Sequence, residues 1–229
     1  MDSTQLHVLD HQPMGSDAFL LRLQRPEWEW EAGQLVSLTG REKWDQRDYT
    51  ICSGTEDDTL DVLYRLIPHG LLTPYLVSLE KGDLVTVQGP YGRFTVQDPT
   101  RPIFFCATGT GVAPCRAFLR SHPHLNLTLF HGVRTPEDLY FREEFASFIY
   151  LPFCSRKPLY GKQGRLTDAL REVYLPKELH VYLCGANEMI YEAEELLIDR
   201  GVPADHLFHE PYYYRAYDEE EEDVKKHSV

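Results

Sequence analysis

Several short segments of this sequence contain side chains that can bind phosphates and planar rings. One of them runs from Arg47 through Tyr49 and Thr50 to Ser53. Because side chains alternate along an extended strand, positions 47, 49, 51 and 53 share one face, where a cation, an aromatic ring and a hydroxyl project together. That face can hold a phosphate and a stacked ring, while Thr50 turns the other way or kinks out. An ordinary surface strand with an incidental arginine is the alternative.

The stretch 67–76 combines a glycine with a threonine and a proline ahead of apolar residues. Thr73 suits the N-cap of a short helix, and Pro74 suits its first position. Backbone N–H groups at such an end face an anion, so we expect a diphosphate to bind here. A capped connector without a ligand would use the same residues.

The segment 103–114 begins with an apolar run, turns through Thr108, Gly109 and Gly111, and then enters a predicted helix. A strand, a glycine turn and a helix in this order allow the backbone to approach a phosphate closely. The segment departs from the common dinucleotide-binding fingerprint, because an alanine and a proline stand where the third glycine is expected.

The chain is acidic, with a formal net charge of −13, yet its basic residues cluster in one region. Residues 155–171 contain five basic side chains and a single acid. Dinucleotide-binding folds usually place an acid for a ribose hydroxyl at the end of the second strand, where this sequence has Arg134. Arg134, Arg156 and Arg165 are the kind of groups that a 2′-phosphate requires. Arginines on a solvated helix face are the competing interpretation.

Two later segments, 184–189 and 209–214, follow predicted strands of the same half. Strand ends in such sheets face the ligand crevice, so Cys184 and Glu210 are candidates for contact with a bound ligand. Three consecutive tyrosines begin at Tyr212, and three successive side chains cannot all enter one core. At least one of them can lie flat on a ring.

The elements that position these residues fall into two halves. Up to residue 98, short strands alternate with turns and one short helix, which predicts a closed antiparallel β-barrel. We predict its strands at 6–9, 19–23, 35–38, 49–53, 60–67, 84–88 and 93–96, and its helix at 73–79. Beyond a proline-rich linker at 98–102, strands and helices alternate, which predicts a parallel α/β domain with helices on both faces. Its strands are predicted at 103–107, 127–131, 151–155, 179–184 and 207–210, and its helices at 112–121, from Thr135, at 166–173 and at 187–200.

The composition fits two compact domains followed by a tail. We divide the 229 residues into a barrel domain at 1–98, an α/β domain at 99–217 and a tail at 218–229, whose six consecutive acids should be solvated. Net acidity disfavours nucleic acid and anionic membranes as partners. The sequence has neither an apolar run long enough for membrane insertion nor the features of a secretion signal, so we expect a cytoplasmic protein. The five widely spaced cysteines fit neither a disulfide framework nor a metal site.

Together and in this order, the segments resemble the ferredoxin-NADP reductase family, specifically its bacterial branch, over almost the whole chain. The resemblance implies a FAD-binding barrel followed by an NADP-binding domain. It implies that Arg47 holds the FAD phosphate, that Tyr49 stacks on the isoalloxazine, and that Thr50 places its hydroxyl near flavin N5. The other residues that it assigns to the flavin site are Ser53, Leu66, Leu72 and Thr73.

The resemblance also assigns the nucleotide half of the site. The NADP diphosphate would be bound by Thr108, Gly109 and Gly111, and its 2′-phosphate by Arg134, Arg156 and Arg165. Cys184 would pack against the nicotinamide, Glu210 would lie near the reacting centre, and Tyr212 would cover the flavin face that the nicotinamide must uncover. The candidate catalytic residues are therefore Thr50, Cys184 and Glu210.

By this resemblance the chain is an oxidoreductase that transfers a hydride between NADPH and FAD, and single electrons between FAD and a ferredoxin or flavodoxin. Two alternatives stay open: the reductase component of an oxygenase system, and a flavin-binding regulatory subunit without turnover. We expect a monomer. Residues 1–98 contain 16 acids and 8 bases, whereas relatives that reduce acidic ferredoxins usually present a basic docking surface. The charge of the barrel therefore leaves the identity of the acceptor open.

Overall fold

The computed structural model describes residues 3–159, 163–176 and 178–212, which form two sheets. The first half contains β1 (Ser3–Met14), β2 (Ala18–Gln24), β3 (Leu35–Thr39), β4 (Gln46–Thr50), β5 (Thr59–Arg65), the short helix α1 (Leu72–Val77) and β6 (Leu84–Tyr91). Its six strands lie in the order β4-β3-β6-β1-β2-β5, and all neighbouring pairs are antiparallel.

The first sheet closes into the predicted barrel through the residues that follow β4. Ile51 forms a bridge with Val62 of β5, and the Cys52 amide donates to the Asp61 carbonyl at 2.9 Å. Because β4 and β5 are the two edge strands, this contact joins the edges of the sheet. Alternate residues of the strands fill the interior, as the period of two requires. They include Leu6, Val8, Leu21, Leu23, Val36, Leu38, Val85 and Val87.

The second half forms the predicted parallel sheet, with five strands. These are β7 (Ile103–Thr108), β8 (Leu127–Val133), β9 (Ile149–Cys154), β10 (His180–Gly185) and β11 (Leu207–Pro211), in the spatial order β11-β10-β7-β8-β9. The chain winds outward from β7 to β9 and then crosses back to β10, which creates a topological switch point between β7 and β10. In sheets of this kind, ligands bind outside the carboxyl ends of the strands at that point.

Helices cover both faces of the parallel sheet, as predicted. The helix α2 (Ala113–Ser121) packs in the core shared with the barrel, whereas α3 (Leu166–Leu170) and α4 (Asn187–Asp199) pack in the core on the opposite face. Phe105 of β7 belongs to the first core and Phe104 to the second, because consecutive side chains of a strand point to opposite faces. Within the described residues, no helix has the length and apolar character needed to cross a membrane.

The predicted strand at 93–96 is wrong. These residues form irregular structure after β6. The ring of Phe94 packs edge-on against Phe105 and Tyr182 of the second half, with ring centroids 6.0 and 5.4 Å apart. The apolar character of this segment therefore contributes to the junction between the halves and not to a β-ladder.

The predicted N-cap role of Thr73 is also wrong. The helix α1 begins one residue earlier, at Leu72, and Leu71 is its N-cap. The Thr73 hydroxyl accepts a hydrogen bond from the Ile67 amide at 2.8 Å, and thereby holds the preceding loop against the helix. A side chain that suits a cap in isolation bonds here to another segment.

Thr135 precedes a single 3-10 turn, Pro136–Asp138, and not the predicted helix. The Thr135 hydroxyl donates to the Asp138 carboxylate at 3.0 Å. The same carboxylate accepts two hydrogen bonds from Ser16 of the barrel, from its amide at 3.0 Å and from its hydroxyl at 2.7 Å. The local helix signal is thus overridden by a contact between the two halves.

Arg116 of α2 connects the halves through a buried ion pair. Only 5% of this residue is exposed, and its Nη1 atom donates to Asp61 of β5 and to the Cys52 carbonyl, each at 3.1 Å. Its Nε atom donates to Glu144 of the second half at 3.0 Å. A buried guanidinium requires such partners, because its desolvation is otherwise strongly unfavourable. These contacts fix the orientation of α2 on the barrel.

Replacing Arg116 by methionine should destabilise the protein. The buried Asp61 carboxylate would keep its contact with Arg22, 3.2 Å away, and the hydrogen bond from the Thr59 hydroxyl at 2.8 Å, but would lose its buried cationic partner. We expect the free energy of unfolding to fall by at least about 2 kcal/mol, measured by urea denaturation followed by circular dichroism. The control is Lys157→Met, which removes an exposed partner of Glu137 and should leave the unfolding midpoint unchanged. Equal midpoints for the Arg116→Met variant and the wild type would contradict this role.

Candidate functional site

A cavity of about 670 Å³ lies at the carboxyl edge of the parallel sheet, next to the switch point. Its walls come from the residues that follow successive strands: 108–110 after β7, 132–135 at the end of β8, 155–157 after β9, 164–167 around the start of α3, and Ala186 after β10. The turn at 15–17, between β1 and β2, closes the side that faces the barrel. Loops of both halves therefore contribute to a single cleft.

Two glycines allow the loops after β7 and β10 to touch. A Cβ atom at Gly111 would lie 2.4 Å from the Cys184 carbonyl oxygen, and a Cβ atom at Gly185 would lie 2.2 Å from Thr108 Oγ1. Thr108 Oγ1 also accepts a hydrogen bond from the Ala186 amide at 2.9 Å. The predicted strand, glycine turn and helix are present, and the structure adds the loop after β10 as their partner.

His131 of β8 is fully buried next to the Gly109 carbonyl. Gly109 has a φ of +52°, in the left-handed region, and its oxygen lies 3.0 Å from His131 Nε2. Because a carbonyl only accepts, Nε2 donates, and Nδ1 accepts from the Tyr150 hydroxyl at 3.3 Å. Burial lowers the pKa of His131 to about 4, so the imidazole is neutral at pH 7. The sequence around Arg134, three residues later, contains no local signal for this contact.

The three predicted 2′-phosphate arginines all line the cavity. Arg134, Arg156 and Arg165 are exposed there, and the Arg156 amide donates to the Arg134 carbonyl at 2.9 Å. Arg165 forms an ion pair with Glu192 at 3.2 Å, which partly offsets its charge. Lys162, from the same basic stretch of sequence, lies outside the described residues. The structure thus brings the three arginines to one cleft, although Arg134 follows β8 and the other two follow β9.

The strand β4 contains three of the residues predicted to contact a flavin. Arg47 is exposed, and its Nη1 atom donates to the Gln46 carbonyl at 2.7 Å. Tyr49 is half-buried and lies edge-on to Tyr64, with ring centroids 6.1 Å apart. Thr50 points the other way and is buried, as the alternation of the strand predicts.

Thr50 and Tyr212 meet where the barrel adjoins the parallel sheet. Their side-chain oxygens, Oγ1 and the phenol oxygen, lie 2.6 Å apart. The Tyr212 amide donates to the Gly185 carbonyl at 2.8 Å, which attaches the segment after β11 to the end of β10. The two following tyrosines, 213 and 214, lie outside the described residues. Tyr212 therefore lies at the junction of the two halves.

Cys184 and Glu210 are register partners in the neighbouring strands β10 and β11. Burial raises the pKa of the Cys184 thiol well above its usual value, and the nearby Glu210 carboxylate adds to this effect. Burial, followed by the charge of Asp48, raises the pKa of Glu210. Asp48 accepts a hydrogen bond from the Tyr91 hydroxyl. No local sequence pattern points to Asp48 and Tyr91 as neighbours of Glu210, because only the fold brings them together.

The other predicted flavin residues lie around the start of α1 and inside the barrel. Leu72 and Thr73 are buried, and the amide of the partly exposed Leu66 donates to the Asp17 carbonyl at 2.7 Å. Ser53 is fully buried, and its hydroxyl accepts from the Asp61 amide at 3.0 Å. The cofactor roles of these four residues stay predictions. Among the described residues, no group of three or more His, Cys, Asp or Glu side chains is arranged to hold a metal ion.

Two family models match the chain, one in each half. An oxidoreductase FAD-binding domain matches residues 6–96, and an oxidoreductase NAD-binding domain matches residues 105–195. The chain is 32% identical to ferredoxin--NADP reductase B of Sorangium cellulosum, over 80% of this chain and 85% of that protein. It is 30% identical to the toluate 1,2-dioxygenase electron transfer component of Pseudomonas putida, over 79% of this chain and 58% of that protein. Several of the curated relatives are longer, and the chain spans about three fifths of their length.

Solved structures show the same fold. The Amycolatopsis cytochrome P450 reductase superimposes with a TM-score of 0.82 and 27% identity, over 91% of this chain and 70% of that chain. A ferredoxin NADP+ reductase from Neisseria gonorrhoeae with bound FAD and NADP superimposes with a TM-score of 0.83 and 21% identity, over 92% of this chain and 99% of that chain. The arrangement of barrel and parallel sheet therefore occurs in a solved protein that has both FAD and NADP bound.

The burial of a neutral His131 should make the protein sensitive to acid. The folded-state pKa of about 4 lies below the ordinary value of 6.5, so the unfolded state takes up the proton first as the pH falls. We therefore expect the free energy of unfolding to keep the full contribution of this group above pH 6.5. It should fall by up to about 3 kcal/mol as the pH decreases from 6.5 to 4. Urea denaturation across this range should show a shallower pH dependence for His131→Gln than for the wild type. The exposed His124→Gln serves as the control, and equal slopes for His131→Gln and the wild type would count against the assignment.

Proposed function

The chain belongs to the ferredoxin-NADP reductase family, and on that premise we propose that it transfers a hydride between NADPH and FAD and then passes single electrons to a small carrier of ferredoxin or flavodoxin type. The observation that supports this most directly is the contact between Thr50 of the flavin-binding half and Tyr212 of the nucleotide-binding half. We assign FAD to residues 1–98 and NADP to residues 99–217. The tail at 218–229 lies outside the described residues.

The residues present in the barrel fit FAD. Arg47 is exposed and supplies a cation for a phosphate, while Tyr49 offers a half-buried ring beside it on the same strand. Leu66, Leu72 and Thr73 supply the opposite wall in our proposal. Bound FAD supplies the capacity to accept a hydride and to release electrons one at a time.

The residues at the carboxyl edge of the parallel sheet fit a dinucleotide. Gly111 keeps the turn after β7 free of a Cβ atom at its closest approach to β10, and Thr108, Gly109 and Thr110 line the cleft. Glycine turns before a helix suit a diphosphate, because backbone N–H groups can approach it. Arg134, Arg156 and Arg165 line the same cleft and are exposed there, and we assign them to the 2′-phosphate of the adenosine ribose.

We assign three residues at the junction to the reacting groups: Tyr212, Glu210 and Cys184. Hydride transfer needs the donor and acceptor atoms about 3 to 3.5 Å apart, so a competing ring must leave when the nicotinamide arrives. Tyr212 is that ring in our proposal, held by Thr50 and shielding the flavin until it is displaced. Glu210 can hold a proton nearby because its pKa is raised, and the small, uncharged Cys184 side chain leaves room for the nicotinamide.

One observation favours the reductase component of an oxygenase as a second candidate. Several of the curated relatives are named as electron transfer or reductase components of oxygenases. The barrel half, with 16 acids and 8 bases, suits a carrier that presents cations more than an acidic ferredoxin. We propose that the chain acts as a monomer, and that it lies in the cytoplasm, where its five unpaired thiols would stay reduced.

The visible spectrum of the purified protein tests the proposal. We expect a yellow protein whose flavin absorbance bleaches when NADPH is added without oxygen, and which reduces ferricyanide at the expense of NADPH. A colourless chain that takes up no added flavin would refute the proposal. A yellow chain that NADPH does not bleach would instead indicate a flavin-binding regulatory subunit.

The preference for NADPH over NADH should depend on the arginines that line the cleft. Replacing Arg156 and Arg165 together by alanine removes two charge-assisted contacts to the 2′-phosphate, each expected to be worth roughly 1.5 to 3 kcal/mol. The KM for NADPH should therefore rise at least about 100-fold, while the KM for NADH, which lacks this phosphate, stays nearly unchanged. Arg171→Ala is the matched control, because Arg171 belongs to the same basic stretch but does not line the cleft. Equal losses for both nucleotides would rule out this role.

A further inference from the structure

The glycine turn after β7, residues 108–111, is supported by a buried side chain of the neighbouring strand. His131 of β8 is the register partner of Ala107, so it lies beside the point where β7 passes into the turn. The imidazole is fully buried, and its Nε2 atom donates to the Gly109 carbonyl at 3.0 Å. A residue that does not itself line the cleft therefore contacts the backbone of the turn directly.

Gly109 depends on such a contact for its conformation. Its φ of +52° lies in the left-handed region, and among the described residues a Cβ atom at this position would meet no heavy atom within 4 Å beyond its chain neighbours. Glycine has the widest range of backbone conformations, and here no side chain packs to restrict it. The hydrogen bond from His131 therefore selects one orientation of the peptide that joins Gly109 to Thr110.

The orientation of this peptide matters for an anion in the cleft. In a trans peptide group the carbonyl and the N–H point in opposite directions. Because His131 draws the Gly109 carbonyl into the interior, the amide side of the same peptide points away from His131, on the side of the turn where Gly109 and Thr110 line the cleft. Backbone amides at a turn before a helix bind anions, whereas a carbonyl oxygen in their place would repel a phosphate.

A second hydrogen bond holds the imidazole in the tautomer that this contact requires. Tyr150 of β9 donates its hydroxyl to His131 Nδ1 at 3.3 Å, which leaves the ring proton on Nε2. In the other tautomer Nε2 would carry no proton, and two acceptors, Nε2 and the Gly109 oxygen, would face each other. The contacts thus run from β9 through β8 to the turn after β7, across three adjacent strands.

We propose that His131 is a positioning residue, which holds the glycine turn in its diphosphate-binding conformation through the Gly109 carbonyl and does not touch the nucleotide. Its role rests on the proposed function, which assigns this turn to the diphosphate of NADP. A turn that is already ordered spares the nucleotide the entropic cost of ordering it on binding. The effect is therefore confined to ligands that contain the diphosphate, and it is separate from the arginines that we assign to the 2′-phosphate.

The His131→Phe variant of the full-length, flavin-containing protein tests this role. Phenylalanine keeps a ring in the site but donates no hydrogen bond to Gly109. Isothermal titration calorimetry measures the binding of two probes, NADP+ and adenosine 2′-monophosphate, which has the 2′-phosphate but no diphosphate. We expect the Kd for NADP+ to rise at least about 10-fold, because the buried carbonyl loses its donor, and the Kd for adenosine 2′-monophosphate to change less than about twofold.

Three further variants separate the hydrogen bond from the packing of the ring. His131→Gln keeps an N–H donor within reach of Gly109 and should recover most of the NADP+ affinity. Tyr150→Phe leaves the histidine in place but releases its tautomer, so it should weaken NADP+ by a smaller factor than His131→Phe does. The matched control is His180→Phe, which changes a buried histidine at the first residue of β10, on the opposite edge of the same sheet, and should leave both Kd values unchanged.

Unchanged NADP+ affinity in the His131→Phe variant would overturn the positioning role and leave the proposed function standing. Equal losses for both probes would show that His131 only supports the fold, and His131→Gln binding NADP+ as weakly as His131→Phe would show that the hydrogen bond to Gly109 is not responsible. If the unmodified protein binds neither probe, the proposed nucleotide site fails, and the role of His131 fails with it.

Discussion

The buried pair of Arg116 and Asp61 joins the two halves of the molecule, and the geometry of the site depends on that junction. The hydride transfer that we propose requires donor and acceptor atoms about 3 to 3.5 Å apart, and two independently moving domains would rarely reach that arrangement. The junction resists such motion because it combines a desolvated ion pair with a shared apolar core. Phe94, from the end of the barrel, packs there among Phe105 and Phe118 of the second half.

Electrostatics divide the site into charged and uncharged parts. The chain as a whole is acidic, with a net charge of −13, but arginines line the cleft. The attraction for an anionic nucleotide is therefore confined to the cleft. Inside the fold, burial keeps two titratable groups neutral. His131 holds the Gly109 carbonyl as a neutral imidazole, and Cys184 remains a thiol. These neutral groups support the loops after β7 and β10 without adding charge beside the cleft.

The strand β4 and the segments that flank it organise the flavin side. From the buried Thr50 at the junction to the exposed Trp44 in the hairpin, the chain passes Tyr49 and Arg47. Each of these residue types suits a different part of an elongated cofactor. The same strand ends beside Ile51, which closes the barrel, so the surface that we assign to the cofactor is held by the hydrogen bonds of the fold itself.

The sequence alone determined the two halves and the order of the motifs, because the alternation of a strand, the apolar run of β7 and the glycine turn after it are local patterns. It failed where a side chain has a distant partner. Phe94 serves the junction instead of a strand, and Thr73 bonds to Ile67 instead of capping α1. Only the tertiary structure placed Thr50 against Tyr212, 162 positions later in the chain. It also buried the Asp45 side chain, whose Oδ1 atom has no hydrogen-bond partner among the described residues. Local periodicity specifies which face of an element is buried, whereas the packing of the whole chain decides which residues meet there.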